Sequence, residues 1–244
     1  MQIASKLKSF IKEIKSKNLE LVNHSKKADD IYALTILQPL LNGLPYLPFN
    51  GGALRPICLA YILNEIIINQ RRMILELGSG LSTILMARLI KINNLKAKII
   101  SVENNYNWSI IIKNYLEKED LLQYVEIIRA DLKTLDTKLG QVQWYDYSLV
   151  SKSTTGCKFD FVIIDGPNAN TETIKYSRVP ALFKFKDKLE EDYCIVLDDS
   201  NRKGEQEIIR LFRNENKDIN FSLVGETLAV FRKNLNFNPI PIHY

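Results

Sequence analysis

Apolar residues fall at helical spacing near the start of the chain and in short strand-like runs later. Ile3, Leu7, Phe10, Ile11 and Ile14 recur with lysines between them, which predicts an amphipathic helix over residues 2–18. A turn-rich break follows at 42–52, where Gly43, Pro45, Pro48, Gly51 and Gly52 cluster. A second helix is predicted over 53–69, with Pro56 in its first turn, where a missing amide is tolerated. From residue 73 short apolar runs alternate with helical ones. Strands are predicted at 73–77, 98–103, 125–129, 159–164 and 193–197, with helices at 82–92, 108–118, 179–189 and 205–213. Such alternation means βαβ units and a parallel sheet with helices on both faces. The last two runs, 220–224 and 227–232, flank Gly225-Glu226 and leave no room for a helix. They form a hairpin, so the last strand runs antiparallel to its neighbour. The expected fold is α/β, a seven-stranded mostly parallel sheet with an antiparallel terminal hairpin. The expected division is a helical extension over 1–70 and a main domain over 71–244.

Composition narrows the class without changing that architecture. The chain has 244 residues, 46% hydrophobic and 25% charged, which is ordinary for one globular α/β domain. Its formal charge of +5, from 33 basic and 28 acidic residues, is too weak and too dispersed to announce a nucleic-acid partner. The cysteines Cys58, Cys157 and Cys194 are odd in number and too far apart for a metal pair. Cys58 and Cys194 sit in apolar runs and read as buried thiols, consistent with a reducing compartment. No apolar run reaches the roughly 18 residues of a membrane span. Lys6, Lys8, Lys12 and Lys15 interrupt any signal-peptide core, so a cytoplasmic location is expected. The basic first helix could lie on a membrane or cap a partner. Packing on its own domain is the plainer reading.

The strongest chemical signal is the run from Ile74 to Thr83, in which Glu76-Leu77-Gly78-Ser79-Gly80 joins a buried strand to a helix through two glycines. Glycine permits a sharp turn and a close ligand approach. The helix N-terminus offers free amides. The next strand ends in Glu103, followed by Asn104, at the carboxyl edge, where an acidic side chain can accept both hydroxyls of a ribose. Asp131 follows the third strand, where it could accept an adenine amino group. Open α/β sheets bind ligands along this edge. Each residue alone could be a turn glycine or a surface carboxylate. Together they predict an adenosine site.

With Phe159-Asp160-Phe161-Val162-Ile163-Ile164-Asp165-Gly166-Pro167 added, the series resembles the class I S-adenosylmethionine-dependent methyltransferases, over roughly residues 50–232. Trp144-Tyr145-Asp146, the run 177–182 and the run 195–202 are similar to a bacterial small-molecule, O-methyltransferase-like subgroup. The resemblance implies a Rossmann-like sheet. It implies that Glu76, Gly78, Ser79, Gly80, Ser82 and Thr83 face the methionine end of the cofactor, Glu103 with Asn104 the ribose, and Asp131 the adenine. It also implies that residues 1–70 shape the acceptor pocket. Asp165 is a further cofactor-site and catalytic candidate.

Asp165, Asp198 and Asp199 end the fourth and fifth strands. Three nearby carboxylates repel one another unless a cation or protons intervene. Such oxygen ligands suit Mg²⁺, which would favour a hydroxyl acceptor. The arrangement resembles the metal site of catechol-type O-methyltransferases, except that an Asp-Asn pair is replaced here by Asp-Asp. The alternative is that Asp165 closes a turn with Gly166-Pro167 and that Asp198 or Asp199 caps the next helix. His24 and His243 lie near the termini and read as surface residues, while Lys152, Lys175 and Arg178 lie on loops within reach of an acceptor. The expected activity is O-methylation of a small molecule, a sugar or a secondary metabolite, with S-adenosylmethionine as donor and Mg²⁺ as a candidate cofactor. Competing readings are an NAD-dependent oxidoreductase, an aminopropyltransferase and a catalytically inactive adenosine-binding module. The oxidoreductase leaves Glu76, Thr83 and the terminal hairpin unexplained.

Overall fold

The computed structural model describes residues 2–234 and 237–242, with side-chain surroundings for all of these but 2–11 and 18–23. The predicted packing of Ile3, Leu7, Phe10 and Ile11 therefore lies outside the described side chains, and His243 outside the described residues.

Helix α1 (Gln2–Leu37) runs for 36 residues, twice the predicted length. Its apolar spacing lapses after Ile14, yet no glycine or proline interrupts it before Pro39. Its last turns pack on the domain, where Ala33 and Leu37 are buried. Arg55 holds it there, pairing with Asp30 at 3.0 Å. The loop 41–55 follows, then α2 (Pro56–Ile68), which starts three residues later than predicted. Buried Arg88 pins this connection to the domain. It donates to the carbonyls of Leu40 at 2.7 Å and Pro45 at 3.2 Å while pairing with Glu119 at 2.6 Å.

The main domain alternates as predicted: β1 (Met73–Leu77), α3 (Leu81–Ile92), β2 (Lys98–Glu103), α4 (Tyr106–Lys118) and β3 (Val125–Arg129). A hairpin absent from the sequence reading follows, β4 (Leu132–Thr137) and β5 (Gly140–Tyr145), then the short α5 (Tyr147–Ser153). The chain returns through β6 (Phe159–Ile164), α6 (Val179–Lys184), β7 (Leu189–Leu197), α7 (Lys203–Glu215), β8 (Asn220–Val224) and β9 (Leu228–Arg232). Helix α6 ends earlier than predicted because β7 begins at Leu189 instead of Tyr193.

The seven-stranded sheet has the order β3-β2-β1-β6-β7-β9-β8. Strand β9 is antiparallel to β7 and β8, and the pairs β3-β2, β2-β1, β1-β6 and β6-β7 are parallel. The predicted terminal hairpin is present. Alternate strand residues feed two cores, as pleating requires. Ile74, Ile99, Phe161 and Val196 pack with α2 and α3. Leu75, Val102, Ile164 and Leu197 pack on the other face with Trp144, Phe185 and Phe212. The register sets Leu77 opposite both Val102 and Ile164, and Ile164 opposite Leu197. Strands β1, β2, β6 and β7 therefore end level. Gly78, Glu103, Asp165 and Asp198 line up along one edge.

Candidate active site

Glu76, Ser101 and Glu103 share the parity of Ile74 and Ile99, so they point to the α3 face of the sheet. Glu76 is fully buried and accepts hydrogen bonds from the hydroxyls of Ser82 at 2.5 Å, Thr83 at 2.5 Å and Ser101 at 2.6 Å. Thr83 Oγ1 also accepts the Gly80 amide at 2.8 Å. Glu76 thus ties the turn to the first turn of α3 and to β2. Burial pushes its carboxyl up to about 7 against the three hydroxyl donors. Neither Glu76 nor Thr83 lines either of the two cavities along this edge.

Gly78 has φ of +99°, and a side chain there would meet Gly166 N at 2.9 Å. Its missing side chain makes room for the loop after β6, an approach of protein to protein that the sequence had suggested would be ligand to protein. Gly80 is extended, and a side chain there would enter open space. Ser79 donates its amide to Glu103 Oε2 at 3.1 Å and accepts Trp108 Nε1 at 2.7 Å. Glu103 Oε1 accepts the Asn105 amide at 2.6 Å. Burial moves the Glu103 carboxyl upward, and these amides oppose the shift.

Across the edge, Asp165, Asp198 and Asp199 bring one oxygen each within 4.8 Å of the others. The buried cation among them is Arg178, whose side chain is 3% exposed, and the more exposed Arg202 pairs with Asp199 at 2.8 Å. Arg178 Nη1 donates to Asp199 Oδ2 at 3.0 Å and to the Asp198 carbonyl at 3.2 Å. Its Nη2 donates to the Asp165 carbonyl at 2.5 Å and reaches Asp165 Oδ1 at 3.4 Å, while Nε donates to the Pro167 carbonyl at 3.2 Å. Buried Glu205 lies 3.7 Å away. The repulsion that sequence reasoning answered with a metal is answered here by a guanidinium that spacing alone had not singled out. Burial opposes the Arg178 charge, but Asp165, Asp199 and Glu205 outweigh it. Burial raises Asp165 well above the usual carboxylate range, opposed by Arg178 and reinforced by Asp198 and Asp199. Burial and then Asp199 push Asp198 up to about 6.

These residues enclose a cavity of about 670 Å³, of ligand-binding size. Of the sequence candidates, Gly78, Ser79, Glu103, Asn104, Asp165, Asp198 and Asp199 line it. A neighbouring space of about 450 Å³ takes in Gly80 and Ser82 and shares Ser79 and Asp165. Asp131 is exposed and lines neither, although its carbonyl accepts the Asp146 amide at 2.9 Å. The walls missed from sequence are Gly51, Gly52 and Ala53 of the loop before α2, and Asn105, Tyr145, Asn168, Asn170 and Arg202, while Arg178 had been named only as a loop residue within reach of an acceptor. They come from separate segments, and only Trp144-Tyr145-Asp146 and the runs bearing Arg178 and Arg202 had carried any signal.

A family model described as a methyltransferase domain matches residues 75–200. The chain belongs to this family and is a class I S-adenosylmethionine-dependent methyltransferase. No curated protein sequence matches it. Similar solved structures include a methyltransferase from Podospora anserina bound to S-adenosylhomocysteine, 12% identical, covering 88% of this chain and 95% of that one with a TM-score of 0.55. A methyltransferase from Geobacter sulfurreducens is 14% identical over 74% of this chain and 78% of that one, with a TM-score of 0.52. An O-methyltransferase from Bacillus cereus in complex with S-adenosylhomocysteine is 18% identical over 84% and 91%, with a TM-score of 0.50. At these identities the likeness shows the fold. Among the described residues no helix is long and apolar enough to cross a membrane.

Proposed function

We propose that this methyltransferase transfers its methyl group to a hydroxyl of a small, polar molecule, a sugar or a hydroxylated secondary metabolite. The observation that carries this reading is Asp165, which lines both compartments and whose carboxyl is raised well above its usual range. A carboxylate so placed is a suitable base for an acceptor hydroxyl. The cavity wall favours a polyhydroxylated acceptor. Asn104, Asn105, Asn168 and Asn170 offer amides, and Tyr145 is the sole aromatic ring in that wall.

The protein fits the donor on its own geometry: an acidic Glu103 on a wall of the cavity, a glycine turn beside it and open space at Gly80. When bound, S-adenosylmethionine supplies an electrophilic methyl group. In this reading Glu103 and Asn104 hold its ribose. Gly78, Ser79 and Gly80 border the methionine end, while the geometry lends no support to Asp131 as the partner of the adenine, since it lies exposed outside both cavities. Glu76, Ser82 and Thr83 fix the turn from behind. Orientation of the acceptor against the methyl carbon and removal of its proton by Asp165 complete the task. Residues 1–70 form the acceptor-side extension, supported by Gly51, Gly52 and Ala53 in the cavity wall.

A second reading places Mg²⁺ on Asp165, Asp198 and Asp199, whose oxygens lie within 4.8 Å of one another. It would add Lewis acidity at the acceptor. Arg178 already neutralises part of that cluster, so the metal-free reading is preferred. Methyl transfer to a panel of sugars and phenols, with Mg²⁺ and with chelator, tests both. The expected result is transfer to a hydroxylated small molecule that persists in chelator. Loss of transfer in chelator selects the second reading. Transfer confined to nucleic acid or protein overturns the small-molecule acceptor.

A further inference from the structure

Tyr145 ends β5 and lines the cavity, yet no role has been given to it above. It is 2% exposed, and its hydroxyl has no hydrogen-bond partner. Buried polar atoms in native proteins are nearly always paired, so an orphan of this kind points to an absent partner. The hydroxyl sits where the side chain of residue 166 would be. An added carbon on Gly166 would lie 2.3 Å from it and 2.9 Å from Gly78 Cα. Two glycines therefore let the phenol pack against residue 166, and residue 166 against the cofactor turn.

The charged groups around the phenol are Glu103, Arg178, Asp165 and Glu76. Glu103 takes backbone amides on both oxygens, Asp165 faces Arg178, and Glu76 is occupied by three hydroxyls. None bonds to Tyr145. Burial and then Glu103 push its ionisation well above the usual range, so the phenol keeps its proton. It is a donor with nothing to donate to.

We propose that Tyr145 is a binding residue for the methyl donor, its hydroxyl donating to an oxygen of that molecule between Glu103 and the Gly78 turn. The inference rests on the reading that this cavity takes the donor. Position and chemistry agree: the phenol lies among acidic groups that attract the sulfonium cofactor, and it adds a neutral contact that strengthens no repulsion.

Tyr145→Phe removes one oxygen and preserves the ring packed on Trp144 at 5.6 Å. Calorimetry with S-adenosylhomocysteine on parent and variant, with a thermal melt of each unliganded protein, is the test. The expected result is binding about tenfold weaker in the variant. The unliganded melting temperature should be equal or higher, because an unpaired buried hydroxyl is gone. Equal affinity overturns the proposal and shows that water, or nothing, serves the hydroxyl. A lower unliganded melting temperature with equal affinity overturns it in favour of a structural role. Failure of the parent to bind S-adenosylhomocysteine overturns the cavity assignment itself, and the proposal with it.

Discussion

The two halves of the carboxyl edge bury acidic side chains by different means. On the β1–β2 side, Glu76 and Glu103 are met by neutral donors, three hydroxyls and two backbone amides. On the β6–β7 side, Asp165 and Asp199 share the charged guanidinium of Arg178, with Glu205 close by. Each neutral donor meets a single carboxylate, although Glu76 still joins the turn to α3 and β2 and Glu103 joins it to the segment after β2. A guanidinium bonded to five acceptors ties β6, its loop and the end of β7 into one unit. In the proposed function the first half receives the donor, and the second holds its shape while Asp165 takes a proton. An acidic cluster alone does not announce a metal, because the compensating cation can arrive from a distant part of the sequence.

The largest effect should come from breaking the charged half. Arg178→Met leaves Asp165 and buried Glu205 without their guanidinium, and Asp199 with Arg202 alone. A loss of about 3–5 kcal/mol is expected, measured as a lower urea midpoint with unchanged slope. Arg178→Lys should restore only part, since one ammonium cannot span the same five acceptors. A methionine variant as stable as the parent would remove the distinction between the two halves.

Much of the ligand-facing half was legible in the sequence because it depends on periodicity. Apolar runs ending in Glu76-Leu77-Gly78-Ser79-Gly80 and in Glu103 fix which residues reach the edge, and register aligns them. The charged half was legible only in its acids. Arg178 lies 13 residues from Asp165 and 20 from Asp198, and no local spacing marks that meeting. The same holds for Tyr145, delivered by the β4–β5 hairpin. That hairpin was missed because β4 is largely exposed and lacks an apolar alternation. Asp131 was placed by position along the chain, but the bend into β4 leaves it exposed outside both cavities. The full length of α1 was hidden because apolar periodicity reports packing, and its residues 12–17 stay helical although exposed.

A smaller effect should follow from the neutral half. Glu103→Gln keeps one carbonyl acceptor for the amides of Ser79 and Asn105 and removes the charge offered to ribose hydroxyls. S-adenosylhomocysteine should bind more weakly by roughly 1.5–3 kcal/mol by calorimetry. Alanine is the poorer probe, because it also strands two buried amides. Unchanged affinity would remove Glu103 from the cofactor site.

The smallest effect distinguishes the halves by pH. Asp198 is pushed from 3.8 up to about 6, by burial and then by Asp199. Between those values the native protein holds a proton that the unfolded chain has released. The native state binds more protons there, so stability falls as pH rises through that window and is level above it. Glu76, raised from 4.5 to about 7, extends the decline by a further unit. Asp198→Asn cannot titrate and keeps the carbonyl that receives Arg178. Melting temperatures of parent and variant should nearly coincide at pH 4 and separate by pH 6, with the variant the more stable. The gain should be on the order of 1 kcal/mol, because Asp165 titrates with Asp198 and shares the effect. From pH 6 to 7 both curves should keep falling, through Glu76 on the other half of the edge and through Asp165, whose carboxyl is also raised. Identical slopes across the whole range would show that Asp198 is ionised like an exposed carboxylate, and that Arg178 neutralises its half of the edge without help from protons.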